Sequence, residues 1–422
     1  MPSYADQMNV GIVGLGYVGL PLAVSFCEAG HDVVGVDVDP RKIGALASCE
    51  SYIEDVPSET LEAISARFSP TLRFAELSRC DVVIIAVPTP LTRNREPDLG
   101  PLLSATASIA AVLQRDQLIV LESTTYPGTT RERLVPLLEE SGLVAGTEFN
   151  LAFSPERIDP GRTDHTMRTT PKVVGGLTEA CGERACRVYS EICDEVVPVS
   201  TPEVAELTKL LENVFRSVNI ALVNELAMLC DRMGIDIWEV VDAASTKPYG
   251  FMRFEPGPGM GGHCLPVDPF YLSWRAREFE STTDFIELAG EVNQAMPRFC
   301  ADKVARALND QAKPVRGSRI AILGVSYKAG VGDLRESPAL KIMRLLEEQG
   351  GELVYHDDYV AELATLGLAS QPLEDVLEDC DVAVIVTAHP GLDVQRVLDR
   401  APLVVDFRGV APRVGARNLV RL

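Results

Sequence analysis

A chain of 422 residues, 46% hydrophobic and 24% charged, has the composition of a soluble globular protein and is too long for one ordinary core. Its formal net charge of −22 argues against nucleic acid or an anionic membrane surface as partner, because both repel it, so an anionic ligand needs a locally basic pocket. Ten cysteines without a CxxC pair argue against zinc knuckles and thiol exchange; no metal is expected, and in the absence of a secretory signal the thiols predict a reducing, cytoplasmic location.

Residues 1–8 read as a disordered tail. The run from Val10 to Phe26 is apolar enough to imitate a signal peptide or membrane span, but four glycines and a proline inside it predict a strand, a tight turn and a helix. Strand-like runs follow at 31–38, 81–88, 117–124 and 150–155, with helical stretches such as 20–30 and 102–113 between them. Continuous apolar strands alternating with helices predict a parallel sheet covered on both faces. Cys181, Cys186 and Cys193 have a spacing that fits packing along a helix better than metal ligation.

From Pro202 to Met233 there is no proline or glycine after the first residue. Leu207, Leu210, Leu211, Val214, Val218, Leu222, Leu226 and Leu229 recur there at helical spacing. A helix of thirty residues spans about 45 Å, which suits either a buried connection or a spine that also packs against a second subunit. The last third returns to the βα pattern, with strand-like runs at 319–325, 352–358, 381–387 and 403–409 and a helix over 339–351. The fold class is therefore α/β: two Rossmann-like doubly wound domains joined by a long central helix and helical segment. The expected division is 1–200, 201–300 and 301–422.

Gly14, Gly16 and Gly19 form GLGYVG, with Tyr17 and Val18 inside the turn between the first strand and first helix. Gly14 permits the turn, Gly16 lets the backbone approach a pyrophosphate, and Gly19 allows helix and strand to pack closely. The helix N-terminus then faces the phosphates with its positive end. A glycine-rich turn with no ligand is the plain alternative. Asp37, at the end of the second strand, is placed to accept hydrogen bonds from the adenosine ribose and to repel the extra phosphate of NADP, which makes NAD the expected cofactor. Pro88 and Thr89 after the third apolar strand, and Ser123 and Thr124 after the fourth, belong to the same crevice at strand C-termini.

The segment EPGPGMGGHCLPVDPF (255–270) carries the chemistry. Gly257, Gly259, Gly261 and Gly262 make a loop whose amides can approach a ligand; Cys264 follows, and Asp268 lies one helical turn further on. A buried cysteine after a turn is the bland alternative. His263 receives no catalytic role, since neighbouring side chains diverge.

Seven segments in order now carry a resemblance: GLGYVG, STTYPGTT (123–130), SPERIDPG (154–161), KLLENVF (209–215), the Cys264 loop, ILGVSYKAGVGDLRESPAL (322–340) and VVDFRG (404–409). Together they resemble the UDP-glucose/GDP-mannose dehydrogenase family over nearly the whole chain. The resemblance implies a four-electron, NAD-dependent oxidation of a sugar C6 alcohol to a carboxylate. Cys264 is the nucleophile that holds the substrate as thiohemiacetal and then thioester. Matched motif by motif, Lys209 stabilises oxyanions, and Asn213, one turn along, donates to the same region. Asp268 with Thr124 positions a water and takes up protons, and Glu156, beside Arg157, serves thioester hydrolysis at the sugar. A solvated helix lysine and a solvent-facing turn glutamate are the plain alternatives for Lys209 and Glu156. Lys328 and Arg408 match contacts to phosphates and uridine together with the glycine loop. Arg335 matches an arginine for the cofactor pyrophosphate, and Arg253 one that enters a neighbouring subunit's site.

Val267 stands where the UDP-glucose branch carries lysine, and Pro160 where it carries a second glutamate. Residues 245–274 instead resemble the branch that oxidises UDP-N-acetylglucosamine, with UDP-N-acetylmannosamine and then UDP-glucose as rivals. The implied partners are a UDP-sugar and a second copy of the chain through the central helix, giving a homodimer or higher homo-oligomer. Two other readings compete: a non-enzymatic NAD- and nucleotide-sugar-binding regulator, and a two-electron 3-hydroxyacid-type dehydrogenase.

Overall fold

Alternate residues of the first strands enter two different apolar cores. Val10, Ile12, Val33, Ile84 and Val120 face one cluster, whereas Val13, Val34, Ile85, Ile119 and Leu121 face another. Because side chains alternate across a strand, burial on both faces demands the continuous apolar runs seen in the sequence. The computed structural model describes residues 7–53, 55–92, 96–158, 165–262, 265, 267–412 and 416–422. The expected disordered tail falls mostly outside them.

The chain divides into two compact units. One holds the chain up to Glu212 together with Trp274–Ser281, and the other holds Asn213–Ser273 with Thr282–Leu422. The first unit is built on β1 (Asn9–Val13), β2 (Asp32–Val36), β3 (Phe68–Thr71), β4 (Val82–Ile85), β5 (Leu118–Leu121), β6 (Asn150–Phe153), β7 (Lys172–Gly176) and β8 (Val196–Val199). Their order in the sheet is β3-β2-β1-β4-β5-β6-β7-β8. The order reverses beside β1, the crevice where a dinucleotide belongs. One expectation needs correction: the sheet is not wholly parallel, since β7 runs antiparallel to β6. Strands β3, β7 and β8 were not read from sequence. The cysteine expectation holds in part: Cys181 and Cys186 lie on the helix Glu179–Tyr189, but Cys193 follows its end.

The second unit carries β9 (Arg319–Leu323), β10 (Glu352–His356), a small hairpin of β11 (Glu362–Leu363) and β12 (Leu368–Ala369), then β13 (Val382–Ile385), β14 (Val404–Asp406) and β15 (Leu419–Arg421). The main sheet runs β10-β9-β13-β14-β15, all parallel. Val223, Ala227, Trp238, Met296 and Cys300 from the middle of the chain share one core with Ile320, Ile322, Val384 and Val405 of this sheet. The long helix is Pro202–Met233, the limits read from its composition, and the boundary between the units falls inside it. No described helix is long and apolar enough to cross a membrane.

Candidate active site

In the first unit the glycine turn has the geometry its spacing implies. Gly14 has φ +95°, and a Cβ there would stand 2.5 Å from the Ala86 carbonyl oxygen. At Gly19 a Cβ would meet the Gly14 carbonyl at 1.8 Å, so the helix Gly19–Glu28 can start only on glycine. Over Gly16 there is open space, where a pyrophosphate can reach the backbone. Tyr17 is exposed and Val18 half-buried beside it. Asp37 follows β2, buried, and accepts from the Leu15 amide at 2.9 Å and the Asp39 amide at 3.0 Å. Lys42 also reaches it at 3.0 Å, a partner that sequence reading missed because the lysine comes from the next helix. Beyond β4 and β5, Thr89 donates to the Thr124 carbonyl at 2.7 Å and Ser123 to the Val87 carbonyl at 2.7 Å, which ties the segment holding Pro88 to the STTYPGTT segment. The turn, the open backbone and the carboxylate together fit NAD.

STTYPGTT is also anchored by a residue the motifs did not single out. Glu206 on the long helix, fully buried, accepts from the amides of Gly128 at 2.6 Å and Thr130 at 2.9 Å and from the Thr130 hydroxyl at 2.7 Å. Burial pushes its carboxyl up to about 7, against the pull of those donors.

Glu156, just past β6, accepts from the amides of Arg157 and Ile158, each at 2.6 Å, through Oε1. Its Oε2 faces Lys172 at 3.4 Å. Burial alone would push its carboxyl up, but Lys172, the Ile158 amide, Lys209 and the Arg157 amide together pull it below the usual carboxylate range. Glu156 is thus a held anion rather than a solvent-facing turn residue. Lys209 is buried, and a solvated helix lysine is excluded as well. Arg157 pairs with Glu212 at 2.7 Å and donates to the Pro171 carbonyl at 2.6 Å.

In the second unit, Asn213 donates to Asp268 at 2.6 Å, and both are buried. Two residues that the motifs place 55 positions apart are therefore brought together. Asp268 is the first residue of the helix Asp268–Arg277, and Leu265 and Val267 ahead of it are in turns. The expected helical turn shared by Cys264 and Asp268 includes residues outside those described. Cys264 itself lies outside the described residues, as do His263 and Pro160.

The glycine loop is fastened by amides and packed against the last third of the chain. Asn224 accepts from the Gly257 amide at 2.9 Å and donates to Asn293 at 2.9 Å; Asn293 donates in turn to the Ser217 carbonyl at 3.1 Å. A Cβ on Gly257 would meet the Arg408 guanidinium at 3.0 Å, and one on Gly261 would meet Tyr327 at 2.5 Å. Gly259, at φ +125°, approaches the Asn293 carbonyl and Pro297, and Gly262 donates to the Arg335 carbonyl at 2.8 Å. Pro297 lies inside the helix Asp284–Asp310. Half-buried Arg408 donates to the Val386 carbonyl at 2.8 Å. Burial makes its charge costly, and Glu255, Cys300 and Asp406 offset only part of that. Among the described residues no carboxylate ion-pairs with it, so its charge is available to an anionic ligand. Lys328, half-buried, sits on the turn after β9, where Ser326 binds its carbonyl at 2.8 Å. Arg335 turns back on Asp333 at 2.6 Å, and Arg253, exposed, pairs with Asp242 at 2.6 Å and Glu255 at 3.0 Å. The four glycines, Lys328, Arg335 and Arg408 belong to motifs scattered over 150 residues, and the fold gathers them in one unit.

A dinucleotide turn in one unit and a half-buried guanidinium under a glycine loop in the other define a nicotinamide-dependent oxidoreductase of anionic substrates. Models described as the NAD binding domain, central domain and UDP binding domain of the UDP-glucose/GDP-mannose dehydrogenase family match residues 8–193, 203–295 and 321–413. Protein CapL of Staphylococcus aureus is 40% identical over 83% of this chain and 82% of its own. A UDP-N-acetyl-D-glucosamine 6-dehydrogenase of Pseudomonas aeruginosa is 38% identical over 84% of each. The solved UDP-D-ManNAc dehydrogenase of Pyrococcus horikoshii superposes with TM-score 0.90 at 33% identity, covering 98% of this chain and 99% of that one. The chain belongs to the UDP-glucose/GDP-mannose dehydrogenase family and is an NAD-dependent UDP-sugar dehydrogenase. The regulator and 3-hydroxyacid alternatives fall with that finding.

Proposed function

We propose that the enzyme oxidises the C6 alcohol of UDP-N-acetyl-D-glucosamine to the uronic acid in two successive steps, with Cys264 holding the sugar between them. The observation that carries this reading is the buried Asn213–Asp268 pair, whose aspartate stands four residues after Cys264 in the sequence. It supports a polar, water-excluding site where a carboxylate can take up a proton. NAD, when bound, supplies an acceptor for hydride. Gly14, Gly16, Tyr17, Val18, Gly19, Asp37, Pro88, Thr89, Ser123 and Thr124 are assigned to hold it, with Arg335 on its phosphates.

Cys264 adds as thiolate to the aldehyde carbon, giving a thiohemiacetal and, after the second oxidation, a thioester that water cleaves. Lys209 and Asn213 stabilise the oxyanion at C6, an effect worth about 3–4 kcal/mol per donor. Thr124 and Asp268 orient water and take up protons, and Glu156 acts in thioester hydrolysis. Lys328, Arg408 and the loop of Gly257, Gly259 and Gly261 hold the UDP moiety, with Arg157 near the sugar.

Val267 and Pro160, in place of the charged residues of the UDP-glucose branch, support an N-acetylated sugar, as does the Pseudomonas relative. UDP-N-acetyl-D-mannosamine is the second reading, favoured by the Pyrococcus structure; UDP-glucose is third. We further read the chain as parts 1–200, 201–300 and 301–422, a division supported by the limits of the three family matches. A homodimer is supported by Val204, Leu207, Leu211, Phe215, Leu222, Leu226, Leu229 and Met233, exposed along the long helix at helical spacing. Arg253 is assigned to a neighbouring subunit's site. The nine described cysteines are free, which supports a reducing, cytoplasmic setting.

The test is turnover with UDP-glucose and the three UDP-N-acetylhexosamines, followed by absorbance and mass spectrometry. Two NADH per UDP-N-acetylglucosamine are expected. One NADH per sugar with free aldehyde accumulating contradicts the thioester route. Cys264→Ser should keep cofactor binding while turnover falls by roughly a thousandfold or more.

A further inference from the structure

Between β5, β7 and the helix Glu179–Tyr189, the first unit buries a charged cluster of which only Glu156 has an assigned role. Lys172 opens β7 with its side chain only 3% exposed, and its ammonium lies 3.1 Å from Glu122 and 3.4 Å from Glu156. Glu122, its side chain 0% exposed, accepts a hydrogen bond from the Tyr189 hydroxyl at 2.5 Å, and the ammonium stands 5.1 Å over the Tyr189 ring.

An ammonium taken out of water is unfavourable unless its partners are fixed. Here one partner, Glu122, is wholly enclosed and committed to Tyr189. The other, Glu156, is held at Oε1 by two backbone amides and presents Oε2 to the lysine. The ammonium therefore bridges a structural carboxylate and the carboxylate assigned to hydrolysis.

We infer that Lys172 is a positioning residue for thioester hydrolysis, locking Glu156 in one orientation and in its anionic form, with Glu122 and Tyr189 as its mount. This rests on the proposed hydrolytic role of Glu156. In that step the water oxygen bonds to the thioester carbon and its proton passes to Glu156. The carbon–sulfur bond then breaks, and Cys264 leaves as thiolate. Glu156 accepts the proton only if it starts ionised. The charged and titratable groups facing it are Lys172 from β7, Glu122 after β5, Cys193 beyond the end of the helix, and Lys209 and Glu212 from the long helix, the last through Arg157, while Tyr189 faces Lys172 and Glu122. Lys172 is the ammonium that touches it. Burial alone would lower the lysine, but Glu122 and then Glu156 raise it, so the cation persists across the working range.

Lys172→Met alone strands two buried carboxylates, so the test pairs it with its counter-charge as the double variant Lys172→Met/Glu122→Gln, next to Glu156→Gln. The readout is the acyl-enzyme, seen as added mass on the chain after acid quench, with kcat and KM measured across pH. In the double variant we expect kcat to fall roughly ten- to a hundredfold at neutral pH, with KM for the sugar falling alongside it because deacylation is the step slowed. The acyl-enzyme should accumulate there, and the acid limb of kcat should move to higher pH, so that alkali restores turnover. Glu156→Gln should accumulate acyl-enzyme at every pH. A double variant that deacylates at the parental rate overturns the inference, and so does one that alkali fails to rescue. If Glu156→Gln itself deacylates normally, the hydrolytic reading of Glu156 falls, and the inference with it.

Discussion

The two sheets open with the same hydrogen bonds and end in different sites. In the first, the Gly14 amide reaches the Val36 carbonyl at 2.8 Å, and Asp37 accepts from the amides of Leu15 and Asp39. In the second, the Gly324 amide reaches the His356 carbonyl at 2.9 Å, and Asp357 accepts from Val325 at 2.7 Å and Tyr359 at 2.8 Å. Both glycines have positive φ and would clash with a facing carbonyl if given a Cβ. Past the first strand the units diverge. After β1 the helix starts at Gly19, on the glycine turn; after β9 the next helix waits until Pro338, and the intervening chain carries Lys328 and Arg335. Asp37 faces half-exposed Lys42, whereas Asp357 is sealed by His389 at 3.0 Å, which stacks on Tyr359. The shared frame thus presents in one unit a carboxylate that we assign to a ribose diol. In the other its carboxylate is committed to the protein itself, and the proposed anion contacts come from side chains beyond the strands.

Three substitutions test that division, taken from the largest expected effect down. Arg408→Met should weaken UDP binding by roughly a hundredfold, about the loss of one desolvated charge-assisted contact, and leave NADH affinity untouched in calorimetry. A loss of NADH affinity instead would break the assignment of ligands to units.

Asp37→Asn and Asp357→Asn form a matched pair. The first should cost about tenfold in NADH affinity with little change in Tm. The second should leave NADH affinity alone and cost about 1.5–3 kcal/mol of stability. Asp357 lies below the usual carboxylate range: burial pushes it up, but the His389 ring and the Val325 and Tyr359 amides outweigh that. Its stabilisation is therefore complete above the ordinary carboxylate value and is lost as pH falls through the folded one, so the Asn variant should flatten the acid arm of the melting curve. Equal effects of the two substitutions on NADH would mean that the carboxylates are not specialised.

The smallest effect concerns Glu206. Raised from 4.5 to about 7, it favours the fold at low pH, and that contribution fades as pH climbs from about 4.5 through 7. Glu206→Gln should remove this slope from Tm against pH, while also weakening the acceptor that holds the loop; an unchanged slope would mean the carboxyl stays ionised throughout.

How far these sites were legible depended on the range of the contacts that make them. The long helix and the strands of both sheet centres follow from local pattern, since burial on both faces leaves a continuous apolar run. Strands β3 (FSPT) and β8 (VVPV) escaped because they are sheet edges, where proline is tolerated and apolarity is diluted. β7 opens on Lys172 and closes on two glycines, which disguises a wholly buried strand. Gly14, Gly16, Gly19 and Asp37 were legible because a short turn defines them. Lys42, Lys172, Glu206, Asn224 and Asn293 were not: each reads as an ordinary polar residue until a partner from another element, tens of positions away for all but Lys42, gives it a task.

Pro297 interrupts the helix Asp284–Asp310 from within and has no N–H to offer the Asn293 carbonyl four residues back. That same oxygen is what Gly259 approaches. A helix has thus given up one of its own rungs where the glycine loop packs close against it, and the Asn293 side chain donates to the Met260 sulfur of that loop at 3.4 Å. A glycine-rich segment, which has little stiffness of its own, is seated against a proline ring from another part of the chain.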